Sequence, residues 1–271
     1  MFPRWQRSRR SYRSLLAWLG FVLMVGSFTW LQITSVPRLT KRLELTPPTH
    51  PGPFAVVVID AGHGGQDSGT VKAGMVEKDL TLDVARRVER LLQQRGLITV
   101  LTRADDTYVS LQDRANIGNN QPESVFVSIH FDDAGRSAAK SANGIETYYA
   151  THPVSVPDRI VSWLPFLQRT SSTPPNVESE SLAGFVQQAL IAHTQAADRG
   201  TRAQQFYVIA NVRQPAVLVE GGFLTNKDEV QKLANAEYRE ELAIAISDGV
   251  MQYRDALQIQ RTPMTDEVPN P

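Results

Sequence analysis

Three apolar runs in this chain each end on a group that can do chemistry: VVVIDAGHGG on His63, SVFVSIH on His130 and PAVLVEGG on Glu220. Short continuous apolar runs bounded by glycine and polar residues suit strands buried on both faces, as in a parallel sheet under two layers of helices. Binding sites of open α/β sheets form beyond the carboxyl ends of such strands. If the three strands run parallel, their terminal side chains converge on one edge of one sheet. A fourth group, Glu77, stands where an amphipathic helix begins at residues 78–95, with Leu80, Val84, Val88, Leu91 and Leu92 on one face. That helix starts at the same edge if it is to cross back over the sheet, which brings Glu77 towards His63.

The segments around these four residues alternate as an α/β domain requires. Strands are expected at 54–60, 97–102, 124–130, 144–150, 205–210 and 215–220. Helices are expected at 78–95, 110–119, 181–197, 227–233 and 235–253. The pattern predicts a three-layer sandwich over residues 54–256, a mostly parallel six-stranded sheet with helices on both faces. A tail follows at 257–271, without periodicity and rich in polar residues.

Residues 15–33 (LLAWLGFVLMVGSFTWLQI) are almost all apolar and carry no charge, about the 20 residues that cross a bilayer as a helix. Arg4, Arg7, Arg9, Arg10 and Arg13 precede them, which keeps the N-terminus cytoplasmic and sends the rest outward. The run is longer than a signal-peptide core and lacks a clear small-residue cleavage site, so an uncleaved anchor in the inner membrane is the favoured expectation. The stretch Ser8-Arg9-Arg10-Ser11-Tyr12 keeps a cleaved twin-arginine signal open as the alternative. Residues 34–53, with Pro37, Pro47, Pro48, Pro51 and Pro53, read as a stiff linker from membrane to domain. On this reading the domain works in the periplasm or elsewhere outside the cytoplasm.

The chain has no cysteine, so a metal site here is built from nitrogen and oxygen. Two histidines with one carboxylate form a recognised catalytic zinc set that leaves a position for water or substrate. Zinc lowers the pKa of its water to about 7 and polarises a carbonyl. A leftover carboxylate beside it can take a proton from water and pass it to a departing amine, and Glu220 is placed for that role. Glycines 62, 64, 65, 69 and 74 let the loop from Ala61 to Val76 turn tightly and approach an ion. The remaining histidines, His50, His152 and His193, are expected to play no part. Basic and acidic residues balance at 28 each, so no nucleic-acid footprint is present. The DAGHGG run lacks the lysine and hydroxyl residue that complete a phosphate loop.

At these residues the chain resembles the zinc-dependent N-acetylmuramoyl-L-alanine amidases, the amidase type 3 family of cell-wall hydrolases. The matching stretches are VVVIDAGHGGQDSG, GMVEKDLTLDVA, GLITVLTRADDTYVSLQDRANIGN, VFVSIH, GIETYY and FYVIANVRQPAVLVEGGFLTNKDE, in the family's order. The resemblance implies that His63, Glu77 and His130 bind Zn2+ and that Glu220 is the catalytic carboxylate. It also implies peptidoglycan as substrate, cleaved at the amide between N-acetylmuramic acid and L-alanine. Rival readings are another zinc peptidase of the wall and a silent wall-binding regulator, and the intact four-residue set speaks against the latter.

Two departures from the family pattern stand out. Ala61 replaces the usual proline before Gly62-His63, and Phe131-Asp132 replaces the usual Ala-Asn after His130, which touches substrate contacts rather than ligands. In some relatives an inserted helix blocks the zinc site until an activator protein displaces it. Residues 151–180, with Trp163, Leu164, Phe166 and Leu167, are either a counterpart of that device or a loop packed on the domain.

Overall fold

The computed structural model describes residues 53–132, 142–151 and 176–261. The apolar segment at 15–33, the linker residues before 53, most of the 151–180 excursion, His50, His152 and the last ten residues lie outside them. Among the described residues no helix is long and apolar enough to cross a membrane.

The elements are β1 (Val56–Ala61), β2 (Val71–Lys72), β3 (Met75–Val76), α1 (Glu77–Gln94), β4 (Ile98–Leu101), α2 (Leu111–Asn119), β5 (Ser124–Asp132) and β6 (Ile145–Tyr149). They continue as α3 (Val177–Thr194), β7 (Asp198–Ala203), α4 (Tyr207–Ala210), β8 (Ala216–Phe223), α5 (Lys227–Ala234) and α6 (Ala236–Arg261). Six strands form one sheet in the order β4-β1-β5-β8-β6-β7. The pairs β4–β1, β1–β5, β5–β8 and β6–β7 are parallel, and β8–β6 alone is antiparallel. The expected mostly parallel sheet between helical layers is therefore present.

Alternation along the strands sorts their side chains between two cores. Val125, Val127, Ile129 and Phe131 of β5, with Val57, Ile59, Val217 and Val219, join α1, α3 and α6 in the larger cluster. Phe126 and Leu218 face the other way, with Val58, Ala115 of α2 and Val208 and Ile209 of α4, in the smaller cluster. His130 follows the even-numbered residues of β5 and Glu220 those of β8, so both project on the side of the smaller cluster. Parity keeps them off the large core, and their place near the carboxyl ends of β5 and β8 puts them at the sheet edge.

Two expected boundaries are corrected. Residues 205–210 are not a strand; residues 207–210 form α4, and the edge strand is β7, Asp198–Ala203, where the earlier helix was expected to end at 197. The apolar run in QFYVIA reflects one helical turn whose Val208, Ile209 and Ala210 are buried, and four residues are too few to show a helical period. β7 is an exposed edge strand, so it carries no apolar alternation to read. The tail also starts later than 257, because α6 runs on to Arg261. β2 and β3 were unexpected: they form a two-residue ribbon whose turn is Ala73-Gly74, both at positive φ, as a type I′ hairpin turn requires.

α3 and α6 lie against each other at Gly249. A Cβ there would stand 2.5 Å from Val186 Cα and 2.9 Å from the Phe185 carbonyl oxygen. Gly249→Ala is therefore expected to lower stability by about 1–3 kcal/mol despite alanine's better helix propensity. Urea denaturation followed by circular dichroism checks it; an unchanged or raised midpoint would show that the helices part freely.

Candidate metal centre

β1 brings the chain to the sheet edge, and the next residues turn so sharply that His63 has a φ of 60°. A residue with a Cβ holds that conformation only when its surroundings insist on it. Here two buried arginines do so. Arg114 of α2 donates to the carbonyl oxygens of Ala61 and His63, both at 2.6 Å, and forms a 2.7 Å ion pair with Asp60 Oδ1. Arg103 donates to the carbonyl oxygens of Ala61 and Gly62, each at 2.9 Å, and to that of Lys78 at 2.7 Å. Asp60 is completed by the hydroxyls of Thr102 and Ser128, both at 2.7 Å. Every acceptor in the turn is thus taken up without water.

Glu77 is delivered by a different device. α1 has no side-chain cap; instead the amides of Glu77 and Lys78 donate to the carbonyl oxygens of Thr70 and Ser68, at 2.9 and 3.3 Å. The first turn is thereby tied to the loop that carries His63. Glu77 Oε2 accepts from the Thr70 amide at 2.8 Å and Oε1 from the Phe131 amide at 3.1 Å. The carboxylate is locked from two sides.

His63 Nε2 lies 3.0 Å and His130 Nδ1 3.1 Å from the same Glu77 Oε1, and the rings meet edge to face with centroids 4.8 Å apart. One donor atom from each of the three residues lies within 4.8 Å of the others. Ligands 2.0–2.1 Å from a tetrahedral zinc ion lie roughly 3.3 Å from one another, so the His–Glu separations fit one small divalent ion. Asp67 Oδ2 accepts from His63 Nδ1 at 2.9 Å, which orients the ring with Nε2 towards Glu77, as the nitrogen a metal would take once its proton is released. The glycines serve space as much as flexibility. A Cβ on Gly62 would lie 2.4 Å from His130 Cε1, and one on Gly69 2.5 Å from Glu77 Oε2 and 2.7 Å from His63 Cδ2.

Burial disfavours charge on both Glu77 and His63, but their hydrogen bonds win. Those from His130 and His63 hold the Glu77 carboxyl well below its usual range, and those to Glu77 and Asp67 lift His63 above 6.5. The three residues are a polarised set, ready to exchange protons for a cation.

Glu220 sits beside this set. It is the direct register partner of His130 on β8, on the same face of the sheet, and it is buried. On the other flank a cleft of about 70 Å³, lined by Asp67, Tyr108, Val109 and Leu111, opens beside His63 and His130. Phe131, one of the departures from the family pattern, fills the space over Gly221, where a Cβ would come within 2.8 Å of its ring. The Asp132 side chain lies outside the described residues. His193 is engaged elsewhere, 2.7 Å from Asp248 between α3 and α6. Sequence reasoning missed Arg103 and Arg114, because arginine is so rarely buried; their only signal was their place in the TRADD and DRAN stretches.

The model of the N-acetylmuramoyl-L-alanine amidase family matches residues 57–252. The chain belongs to this amidase family. It is 38% identical over 197 residues to the amidase LytC of Bacillus subtilis (strain 168), covering 73% of this chain and 35% of that protein. It is 30% identical over 220 residues to the amidase AmiA of Escherichia coli (strain K12), covering 73% of this chain and 75% of that one. A crystal structure of an N-acetylmuramoyl-L-alanine amidase from Clostridium difficile 630 superposes with a TM-score of 0.62 at 35% identity, over 76% of this chain and 99% of that one. The amidase AmiC2 of Nostoc punctiforme gives 0.62 at 32% identity, over 78% and 99%. The amidase match covers the sheet from Val57 onward and all four residues at its edge.

Asp60 and Arg114 are 1% and 3% exposed as side chains. Arg114→Ala strands a buried carboxylate, and a loss of about 3–5 kcal/mol is expected in urea unfolding. A loss below about 1 kcal/mol would mean that the turn holds without it.

Proposed function

We propose that this chain is a zinc-dependent peptidoglycan hydrolase that cleaves the amide between N-acetylmuramic acid and the L-alanine of the stem peptide. The observation that carries the proposal is the convergence of the His63, Glu77 and His130 donors beside Glu220 in a chain of the amidase family. His63, Glu77 and His130 are the proposed ligands, with Asp67 orienting His63. A zinc ion held by them supplies Lewis-acid polarisation of the scissile carbonyl and a water acidic enough to ionise near neutrality.

Glu220 is the proposed acid–base. It accepts a proton as water adds to the carbonyl and returns it to the nitrogen as the amine leaves, so water is split between the two products. Its buried position keeps the carboxylate away from bulk water, and its register with His130 sets it one strand over from the ligands. The cleft on the Tyr108 side is open to the acyl portion of the substrate.

Because the substrate lies outside the cytoplasm, the proposal also places the domain there. The apolar segment at 15–33 then acts as tether or export signal, and the proline-rich stretch at 34–53 as spacer.

Purified sacculi digested with the full chain are expected to release intact stem peptides and leave peptide-free glycan strands, read by mass spectrometry. Peptides shortened at their carboxyl end would instead indicate a carboxypeptidase and overturn the assignment. Glu220→Gln is expected to keep zinc and lose about 10²–10⁴-fold in rate, whereas His63→Ala loses zinc. Asp67→Asn is expected to weaken zinc binding about 10–100-fold in competition with a chromophoric chelator. An active Glu220→Gln enzyme would exclude Glu220 as the base.

A further inference from the structure

Beyond Glu220 the same face of the sheet carries a second charged group that the proposed chemistry does not use. On β6, Glu146 is the direct register partner of Glu220, with the strands antiparallel. Residues so paired have Cβ atoms about 4.5–5.5 Å apart, and two bare carboxylates at that spacing repel. Glu146 is 2% exposed, so it cannot rely on water for relief. Two guanidiniums answer it. Arg199 Nε lies 3.2 Å and Arg202 Nε 3.1 Å from the same oxygen, Glu146 Oε2, while the Tyr148 hydroxyl donates to Oε1 at 2.6 Å.

Glu146 and Glu220 are two carboxylates and Arg199 and Arg202 two guanidiniums, so the cluster balances in charge, but the two arginines differ in exposure. Arg199 is the more enclosed, stacked over the Phe223 ring at 4.8 Å. Arg202 is 53% exposed as a side chain. Its contact with Glu146 runs through Nε, so that contact does not occupy the outer two nitrogens of the fork. A guanidinium held at its Nε by a buried carboxylate presents those two nitrogens as a preorganised pair of donors, the geometry that takes a second carboxylate bidentately.

The position of this fork matters because of the direction in which the substrate must lie. This step rests on the proposed amidase reading. If Glu220 hands its proton to the departing nitrogen, that nitrogen lies on the β8 side of the metal ligands. The peptide attached to it then extends away from β1 and β5, across β8 towards β6 and β7. The sheet order puts Glu146, Arg199 and Arg202 in that direction. The opposite flank sets Tyr108, Val109 and Leu111 beside Asp67 and the buried Asp60–Arg114 pair, and its exposed charged group is the acidic Asp67.

We infer that Arg202, held by Glu146 and backed by Arg199, is a recognition subsite for a carboxylate of the stem peptide, on the leaving-amine side of the scissile bond. The ligand class is an anionic L-alanyl peptide; the nearest such group in a stem peptide is the free α-carboxylate of a γ-linked D-glutamate. Amidation of that carboxylate removes the charge while keeping the shape, so the subsite discriminates between wall chemistries.

The test compares two muramoyl peptides, L-alanyl-γ-D-glutamate with its α-carboxylate free or amidated, as substrates of the zinc-loaded full chain and of Arg202→Gln and Arg202→Lys. The wild type is expected to favour the acid by about 10–100-fold in kcat/KM, mostly through KM, as a charge-assisted hydrogen bond warrants. Arg202→Gln should bring the acid-to-amide ratio close to one, and Arg202→Lys should restore part of it. Equilibrium binding of the free dipeptides, acid against amide, reads the same subsite without turnover. If neither muramoyl peptide is cleaved, the amidase reading fails, and the dipeptide binding still decides the subsite. An acid-to-amide ratio of one in the wild type, or one that Arg202→Gln leaves unchanged, overturns the inference; a purely structural arginine would shift the unfolding midpoint and not the ratio.

Discussion

The site rests on the ion pair between Asp60 and Arg114. Both groups are buried, and a charge in the interior is tolerable only when its partner and its hydrogen bonds are all in place. Arg114 meets that demand by binding Asp60 and the carbonyls of the very turn that follows it, and Arg103 closes the turn from the other side. The backbone from 60 to 63 therefore has little freedom left. That rigidity is what keeps His63 at a positive φ and makes its ring a fixed point, against which the Glu77 carboxylate and His130 are set.

Each of the three clustered side chains reaches the centre by a different physical route. His63 comes from a clamped turn, His130 from the last pleats of a strand buried on both faces, and Glu77 from a helix capped by the preceding loop instead of by a side chain. Independent supports of this kind give precision, since an error in one element is not carried into the others. Glu220 adds a fourth route, through strand register with His130. Parity along β5 and β8 does the final sorting, placing both side chains on the face opposite the large core.

Much of this was legible in the residues. Apolar runs ending at His63, His130 and Glu220 revealed the parallel strands, because a run buried on both faces has nothing polar to interrupt it. Glu77 followed from topology, since the helix after β1 had to begin at the same edge. The misreadings have physical causes too. β7 is an exposed edge strand rich in charge, so it shows no apolar pattern, and α4 is a single buried turn whose short apolar run reads as a strand. The ribbon of β2 and β3 is too short to alternate, and its Ala-Gly turn is a weak hairpin signal. Arg103 and Arg114 escaped because their role lies in backbone carbonyls, which leave no trace in side-chain patterning.

The crowding at Gly62 and Gly69 bears on how such domains descend. The space that a methyl group would claim at these positions already belongs to the imidazoles and the carboxylate, whereas the two cores and the sheet lie elsewhere. Chemistry and architecture are thus inherited on separate accounts. One added carbon atom at either loop glycine would displace the clustered donors and leave the scaffold intact, so a domain of this fold can outlive its chemistry.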